Sequence, residues 1–523
     1  MRTFDPSRPR RVAGLLVLAA LAVTGRAATG QPAADFPSVP PAEVPPAMMF
    51  GSTGPAGGTI GSPGGPADAS GGTPAGSNAA AGGNTPSNTV PTGAAANAPK
   101  FEAVWNNGLF FQTKDKDFLF HVGGTVHYDG AWYTAPAALE RFPGGTGPFN
   151  DGVNLRRGRI RMEGTAYKDY DFLFELEFAN GFLPAGTGTA GGNVGGVTSV
   201  TNSPGPTDAW VTVKNVPFLG NVRIGSQKEP FSLEHLAGYR FLEFMERSYL
   251  FDMSQPTAFN NGFSPGISAF RTWADDRVTT AVGVFKNDSD LIGVGVGDGE
   301  YAVTGRVTYL PVYDPDQKRI LHVGGAMSYR DPVNDQVRVR IRNEVRNAPF
   351  PLLNLVADTG TLNADSQTLF NLETAAVLGP VTLQAEYTAN LIDRTAVPGG
   401  VDPGTAVVQG FYAHGLMFLT GESRTWNPKT ATFNRVIPKQ NFGFGSGGGM
   451  GAWEVGARYT YLDLNDDGVR GGRLNNATVG LNWYWNPNMR MQFNYDYAYR
   501  DAGVNPLARG SIHSFGTRLA LDF

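Results

Sequence analysis

The sequence predicts an all-β fold: a transmembrane antiparallel β-barrel of about 16 strands with infolded loops, preceded by a disordered N-terminal linker. Three observations point there. Apolar and polar residues alternate with a period of two from Phe101 to the C-terminus. The alternating runs, mostly about 10–14 residues, exceed the usual five or six of a globular strand and suit a tilted membrane-spanning one. The chain is rich in Gly (69 of 523) and in aromatics (11%), yet no apolar run reaches the roughly 18 residues of a transmembrane helix.

The N-terminus has its own logic. Arg2, Arg8, Arg10 and Arg11 precede an apolar stretch over 12–23, and Gly25 and Ala27 are spaced for a signal peptidase. Residues 1–27 therefore read as an export signal. Its removal takes away five Arg and one Asp, turning 42 basic and 46 acidic residues into 37 and 45, a net charge of −8. Residues 28–100 read as a disordered Pro/Gly/Ala-rich linker. Within 36–100 there are 13 Gly, 12 Pro and only Glu43, Asp68 and Lys100 as charges. Such a stretch buries too little apolar surface to offset chain entropy and is expected to be a solvated spacer. Residues 101–523 are the expected barrel.

The strands are read from pattern. Tyr170, Phe172, Phe174, Leu176 and Phe178 share one face, with Asp171, Glu175 and Glu177 among the intervening positions. Phe515, Leu519, Leu521 and Phe523 share a face at the end of the chain, an arrangement like the terminal recognition strand of outer-membrane proteins. Seventeen runs fit: 117–129, 155–167, 170–180, 207–216, 220–229, 262–273, 277–288, 301–311, 320–331, 336–346, 367–379, 381–392, 407–421, 451–464, 473–486, 489–500 and 512–523. A single-chain bacterial barrel has an even number, with short turns on one rim and long loops on the other. Tight turns at Lys168-Asp169, Pro217–Leu219, Ala274–Asp276, Gly379-Pro380 and Pro487-Asn488 alternate with long connections if 336–346 is an infolded loop, which leaves 16. The segment 422–450 is the exception, long but on the short-turn rim. Trp483, Tyr484, Trp485, Tyr495, Tyr497 and Tyr499 are expected in interfacial girdles, with a sugar-stacking slide as the alternative.

Several chemistries are excluded or disfavoured. Without Cys there is no disulfide scaffold, thiolate metal site or thiol nucleophile. Six scattered His suggest no metal cluster, and the charge balance does not suggest nucleic acid. Asp463 to Gly468 resembles half a calcium loop, but the twelfth position is Leu474, which cannot supply the bidentate carboxylate. Gly293–Gly299 lacks the Lys and Ser/Thr of a phosphate-binding loop. No cofactor is expected.

Two arginine ladders stand out. Arg338, Arg340, Arg342 and Arg346 share one parity, against Val337, Val339, Ile341 and Val345 on the other. Arg157, Arg159 and Arg161 oppose Ile160 and Met162. In an extended strand such rungs stand about 6.6 Å apart. An arginine facing mid-membrane lipid costs roughly 2–4 kcal/mol, so the arginine faces should point into the lumen. A guanidinium offers permanent charge and a fork of donors suited to phosphate or carboxylate. Several rungs of similar depth would pass an anion along without trapping it. The competing reading is a mixed wall, in which these arginines pair with Glu163, Glu175, Glu177 and Glu344.

Several ordered stretches carry a family resemblance: Arg156 to Arg159, Asp208-Ala209-Trp210, Gln227 to Glu234, Phe244 to Ser248, Gly451 to Val455, Leu462 to Asn465 and Gly480 to Asn488. Together they resemble the phosphate-selective porin O and P family across nearly all of 101–523. The resemblance implies a 16-stranded outer-membrane barrel, usually a homotrimer, embedded in outer-membrane lipid and passing small phosphate-like anions. It implies pore-lining roles for Arg157, Arg159, Arg338, Arg340, Arg342 and Arg346, with Arg161 on the same ladder. Lys228, Arg240 and Asp208 are further candidates for the constriction. A general porin for polar solutes or sugars is the alternative, and a barrel esterase the third reading.

Overall fold

The computed structural model describes residues 99–523, apart from 142–143, 180–181, 185–199, 203, 256–261, 288–299, 347–354, 397–399 and 446. The signal and all but the last two linker residues, and the whole of Gly293–Gly299, lie outside the described residues.

Sixteen antiparallel strands close into a barrel. They are β1 (Leu119–Thr134), β2 (Gly152–Ala166), β3 (Tyr170–Glu177), β4 (Gly205–Val216), β5 (Gly220–Gln227), β6 (Ser264–Trp273), β7 (Val278–Lys286) and β8 (Tyr301–Asp314). The second half is β9 (Arg319–Arg330), β10 (Leu362–Leu378), β11 (Val381–Arg394), β12 (Thr405–Phe418), β13 (Ala452–Asp466), β14 (Val469–Asn486), β15 (Met489–Gly503) and β16 (Gly510–Asp522). Each pairs with its neighbour in sequence, and β16 closes on β1 through pairs from Asp522↔Thr125 to His513↔Thr134. Closure removes the free edges that an open sheet would expose.

Period two explains the two faces. On β2, Ile160 and Met162 are exposed outward while Arg157 and Arg159 are buried inward. On β14 and β15, Val479, Tyr495 and Tyr497 are exposed outward, and Asn482, Gln492 and Asn494 are buried inward. Apolar side chains thus face lipid, and polar ones face the lumen.

The turns follow the expected alternation. Pro217–Leu219, Gly379-Pro380 and Pro487-Asn488 close tight hairpins on one rim. The 33-residue segment 419–451 lies on that same rim, as the count requires. It carries a short hairpin, Trp426–Asn427 against Thr432–Phe433, whose two aromatic rings are buried. The opposite rim has one short connection, Asp467-Gly468, at the end of the calcium-like stretch. Both residues have positive φ (42° and 87°), the backbone that a two-residue hairpin demands. Asp463 instead accepts from Arg473 at 2.9 Å.

Two further corrections concern predicted runs. Residues 336–346 do not form one strand: Gln336–Val337 and Arg340–Arg342 are separate, interrupted at Arg338-Val339. Arg340–Arg342 pairs with Leu355–Asp358 within the same connection, outside the barrel wall. The six clustered aromatics also divide. Tyr484 points inward and donates to Glu454 at 2.9 Å, whereas Trp483, Trp485, Tyr495, Tyr497 and Tyr499 share the outward parity. A hairpin of Phe101–Trp105 and Leu109–Thr113 extends the wall below β16, pairing with the start of β1.

The lumen is largely filled. Residues 228–255 fold inward with α1 (Leu233–Leu236), the 3₁₀ turn Tyr239–Phe241 and α2 (Tyr249–Ser254). Tyr249, Leu250 and Met253 of α2 pack with Val337, Val339 and Ile341 of the second infolded connection, and with Leu462, Leu464 and Leu474 of the wall. The valine face of 336–346 is therefore an anchor. Gly516 permits the close approach: a Cβ there would stand 2.9 Å from Met245 Sδ and from Val345 Cγ1.

Candidate pore constriction

The first infolded segment is fixed by wall carboxylates. Ser232 caps α1 by accepting from His235 N, and Glu386 on β11 accepts from the Leu233 and Glu234 amides at 3.2 and 2.7 Å. Glu234 in turn accepts from Ser248 N and Oγ and pairs with Arg458 on β13. Glu229 pairs with Arg330 at 2.8 Å. The motifs 227–234 and 244–248 are thus largely the clamps that hold this segment across the channel.

Beside it lies a cavity of about 20 Å³, roughly the space of one water molecule. Its lining includes Arg156, Arg157, Arg159, Lys228, Arg247, Arg342 and Arg346, with Glu246 as the single carboxylate. An ion passing here must shed water and accept protein donors instead.

Glu246 is the hub. It accepts from Arg156 Nε (3.0 Å), Arg157 Nη1 and Nη2 (both 3.1 Å) and Arg518 Nη2 (2.8 Å), with Arg346 at 3.9 Å. Burial pushes its carboxyl up, and the surrounding guanidiniums reverse this and hold it well below the ordinary carboxylate range. Asp252 on α2 accepts from Arg342 (Nε 3.0 Å, Nη2 2.5 Å) and Arg346 (3.4 Å). Burial raises its pKa, and these two arginines outweigh that and lower it.

Arg159 is held by Glu175 at 2.7 Å and Glu177 at 2.6 Å. Arg161, nearer the short-turn rim, pairs with Glu163 and lies 3.9 Å from Glu175. Tyr239 donates to Glu175 at 2.8 Å; burial lifts its hydroxyl to about 12. The four carboxylates of the mixed-wall reading, Glu163, Glu175, Glu177 and Glu344, are all engaged with arginine.

Lys228 and Arg247 are held differently. Lys228 Nζ donates to the His235, Leu236 and Ala237 carbonyls at 2.8, 3.4 and 3.0 Å. Arg247 donates from Nε to Glu234 O and from Nη2 to Ala237 O, each at 2.8 Å. These are the last carbonyls of α1, which attract cations without cancelling their charge. Burial, then the neighbouring Arg247, pulls the Lys228 pKa well down.

The remaining expected residues are spread along the lumen. Arg338 pairs with Asp358 (2.9 and 2.5 Å) at the more open end of the second segment. Side-chain exposure falls from 28% at Arg338 to 6% at Arg342 and 2% at Arg346, with Arg340 half-buried between. Arg240 lies outside the cavity, 3.8 Å from Asp522 near the short-turn rim. Asp208 accepts from Trp210 Nε1 at 2.9 Å on β4. Arg156, Arg247 and Asp252 belong to the constriction without having been singled out. Arg156 and Arg247 stood inside recognised stretches, and Asp252 left no signal.

Sixteen strands closed around a charged lumen and narrowed by infolded segments define an outer-membrane porin. The chain belongs to the phosphate-selective porin O and P family, which it matches over residues 120–523. An uncharacterized protein of Caulobacter vibrioides is 29% identical over 83% of this chain and 79% of its own length. Porin O of Pseudomonas aeruginosa is 25% identical over 80% of this chain and 91% of its own. Among solved structures, an anion-selective porin from Comamonas acidovorans is 15% identical, covering 78% of this chain and 100% of its own, with a TM-score of 0.46. The outer membrane channel DcaP of Acinetobacter baumannii is 11% identical over 79% and 99%, with a TM-score of 0.45.

Proposed function

We propose that this porin passes small anions such as phosphate by passive diffusion, and that the chain is exported by residues 1–27 and works as a homotrimer in outer-membrane lipid. The observation that supports anion passage is the carbonyl-held pair Lys228 and Arg247. Most other cations at the constriction meet a carboxylate, so these two leave the cavity with positive charge to offer an ion. Arg338, Arg340, Arg342 and Arg346 would lead an anion inward. Arg156, Arg157, Arg159 and Arg161 face them from β2, and Arg240 and Asp208 flank the exit.

The abundance of ion pairs favours a second reading, a general porin with a balanced wall. Reversal potentials in planar bilayers under a potassium chloride gradient separate the two. Anion passage predicts a potential near the chloride limit, reduced by Lys228→Ala with Arg247→Ala. A potential at or beyond zero on the cation side defeats it.

A further inference from the structure

The segment 419–451 has one arm inside the barrel and another outside. Its inner arm donates from Arg424 to Glu454 at 3.1 and 3.0 Å and pairs with Glu243 at 3.0 Å. Its outer arm crosses the rim and lies on the external wall. Phe442 N donates to Trp485 O at 2.6 Å, and the Phe442 ring meets Trp483 edge-on at 4.7 Å. Trp453 and Trp483 stack at 4.9 Å, and both indoles donate to Met450 O, at 3.2 and 2.9 Å.

These tryptophans share the outward parity of Val479, which is 59% exposed in the lipid-facing belt. The outer arm therefore continues that belt just before the Pro487-Asn488 turn. From it Phe444 (98% exposed) and Met450 (71%) stand clear. Residues 437–450 contain one charge, Lys439, and no carboxylate. Lys439 Nζ is held by Thr420 O at 3.0 Å, so its charge is not cancelled there. Aromatic rings above a lysine match the headgroup–acyl boundary of a bilayer.

We propose that this outer arm is a membrane contact: Phe444 and Met450 enter the periplasmic leaflet, and Lys439 meets the phosphate of a phospholipid there. Two projecting side chains between glycines offer too little area for a stable protein interface. Because the same segment holds Arg424 in the lumen, the leaflet would help to fix the inner arm.

The chain has no Cys, so Phe444→Cys can carry a single nitroxide on the full protein in phosphatidylethanolamine–phosphatidylglycerol vesicles. Greater collision accessibility to oxygen than to a water-soluble nickel chelate is expected, with the ratio falling in the Lys439→Glu background. The reverse ratio would put the arm in water and overturn the proposal. So would dipolar broadening that vanishes on dilution with unlabelled chain, since a second copy would then cover the site. Neither outcome depends on ion selectivity.

Discussion

Arg156 and Arg157 are adjacent in sequence, yet both guanidiniums reach Glu246. The pairing of β1 with β2 explains it. His127 pairs with Arg157 and Tyr128 with Leu155, which leaves Arg156 as the extra residue of a β-bulge. A bulge breaks strict alternation and turns one more side chain to the same face. Leu155 and Ile160 on either side stay exposed to lipid, so the wall is not disturbed while two cations enter the lumen together.

Glu246→Gln should therefore raise anion selectivity and lower stability at once. The variant keeps the shape and removes the charge shared by Arg156, Arg157, Arg346 and Arg518. Leaving buried cations without their counter-charge costs about 3–5 kcal/mol. Bilayer reversal potentials should move toward the chloride limit while heat-modifiability on gels shows unfolding at lower temperature. Unchanged selectivity would mean that Glu246 does not face the conduction path.

The two ends of the second ladder should respond differently. Arg338 and Asp358 are partly exposed, at 28% and 26%, and such pairs are worth about 0–1 kcal/mol. Arg342 and Asp252 are buried at 6% and 0%. Arg338→Ala should leave stability nearly unchanged and modestly reduce chloride conductance. Arg342→Ala should lower the unfolding temperature and strongly reduce phosphate block of chloride current. Equal effects on block would argue against a graded path.

Acid should leave the constriction intact longer than free carboxylates would allow. Both Glu246 and Asp252 have folded pKa values lowered from their ordinary 4.5 and 3.8. The stability they contribute is thus complete above those ordinary values and is lost progressively as pH falls from them through the lowered ones, while the folded constriction itself keeps its charges until the lowered values are reached. Chloride selectivity should be flat from neutrality to about pH 4.5 and change only in stronger acid. A transition centred above 4.5 would point to a different group.

The wall was legible because lipid on one side and lumen on the other impose a strict period of two. The same period misleads at 336–346, where Val339 and Ile341 face a packed lumen rather than lipid. Only the alternation of short and long connections removes that run from the wall. Alternation alone does not place Arg156 inward, since the bulge at this position breaks the period of two. Asp252 sits in a six-residue helix, and its partners Arg342 and Arg346 lie some 90 positions away. Lys228 could be named from its motif. That it is held by α1 carbonyls, and so keeps its charge available, depends on a fold of ten residues back on itself.

That distinction can be tested through alkaline pH. Burial, then Arg247, lowers the Lys228 pKa well below 10.5, so the ammonium should lose its proton earlier than a free lysine. Sulfate keeps a constant charge over this range and reports on the channel alone. Sulfate block should weaken as pH rises, before 10.5 is reached, and Lys228→Arg should remove most of that decline. Stability must move the other way. While the unfolded chain holds more protons than the folded one, raising the pH favours the folded state, so this titration should not lower the unfolding temperature. Weaker block with a steady or rising unfolding temperature identifies Lys228 as a group that faces the ion. Block that stays flat up to pH 10.5 would place the ammonium out of reach of the path.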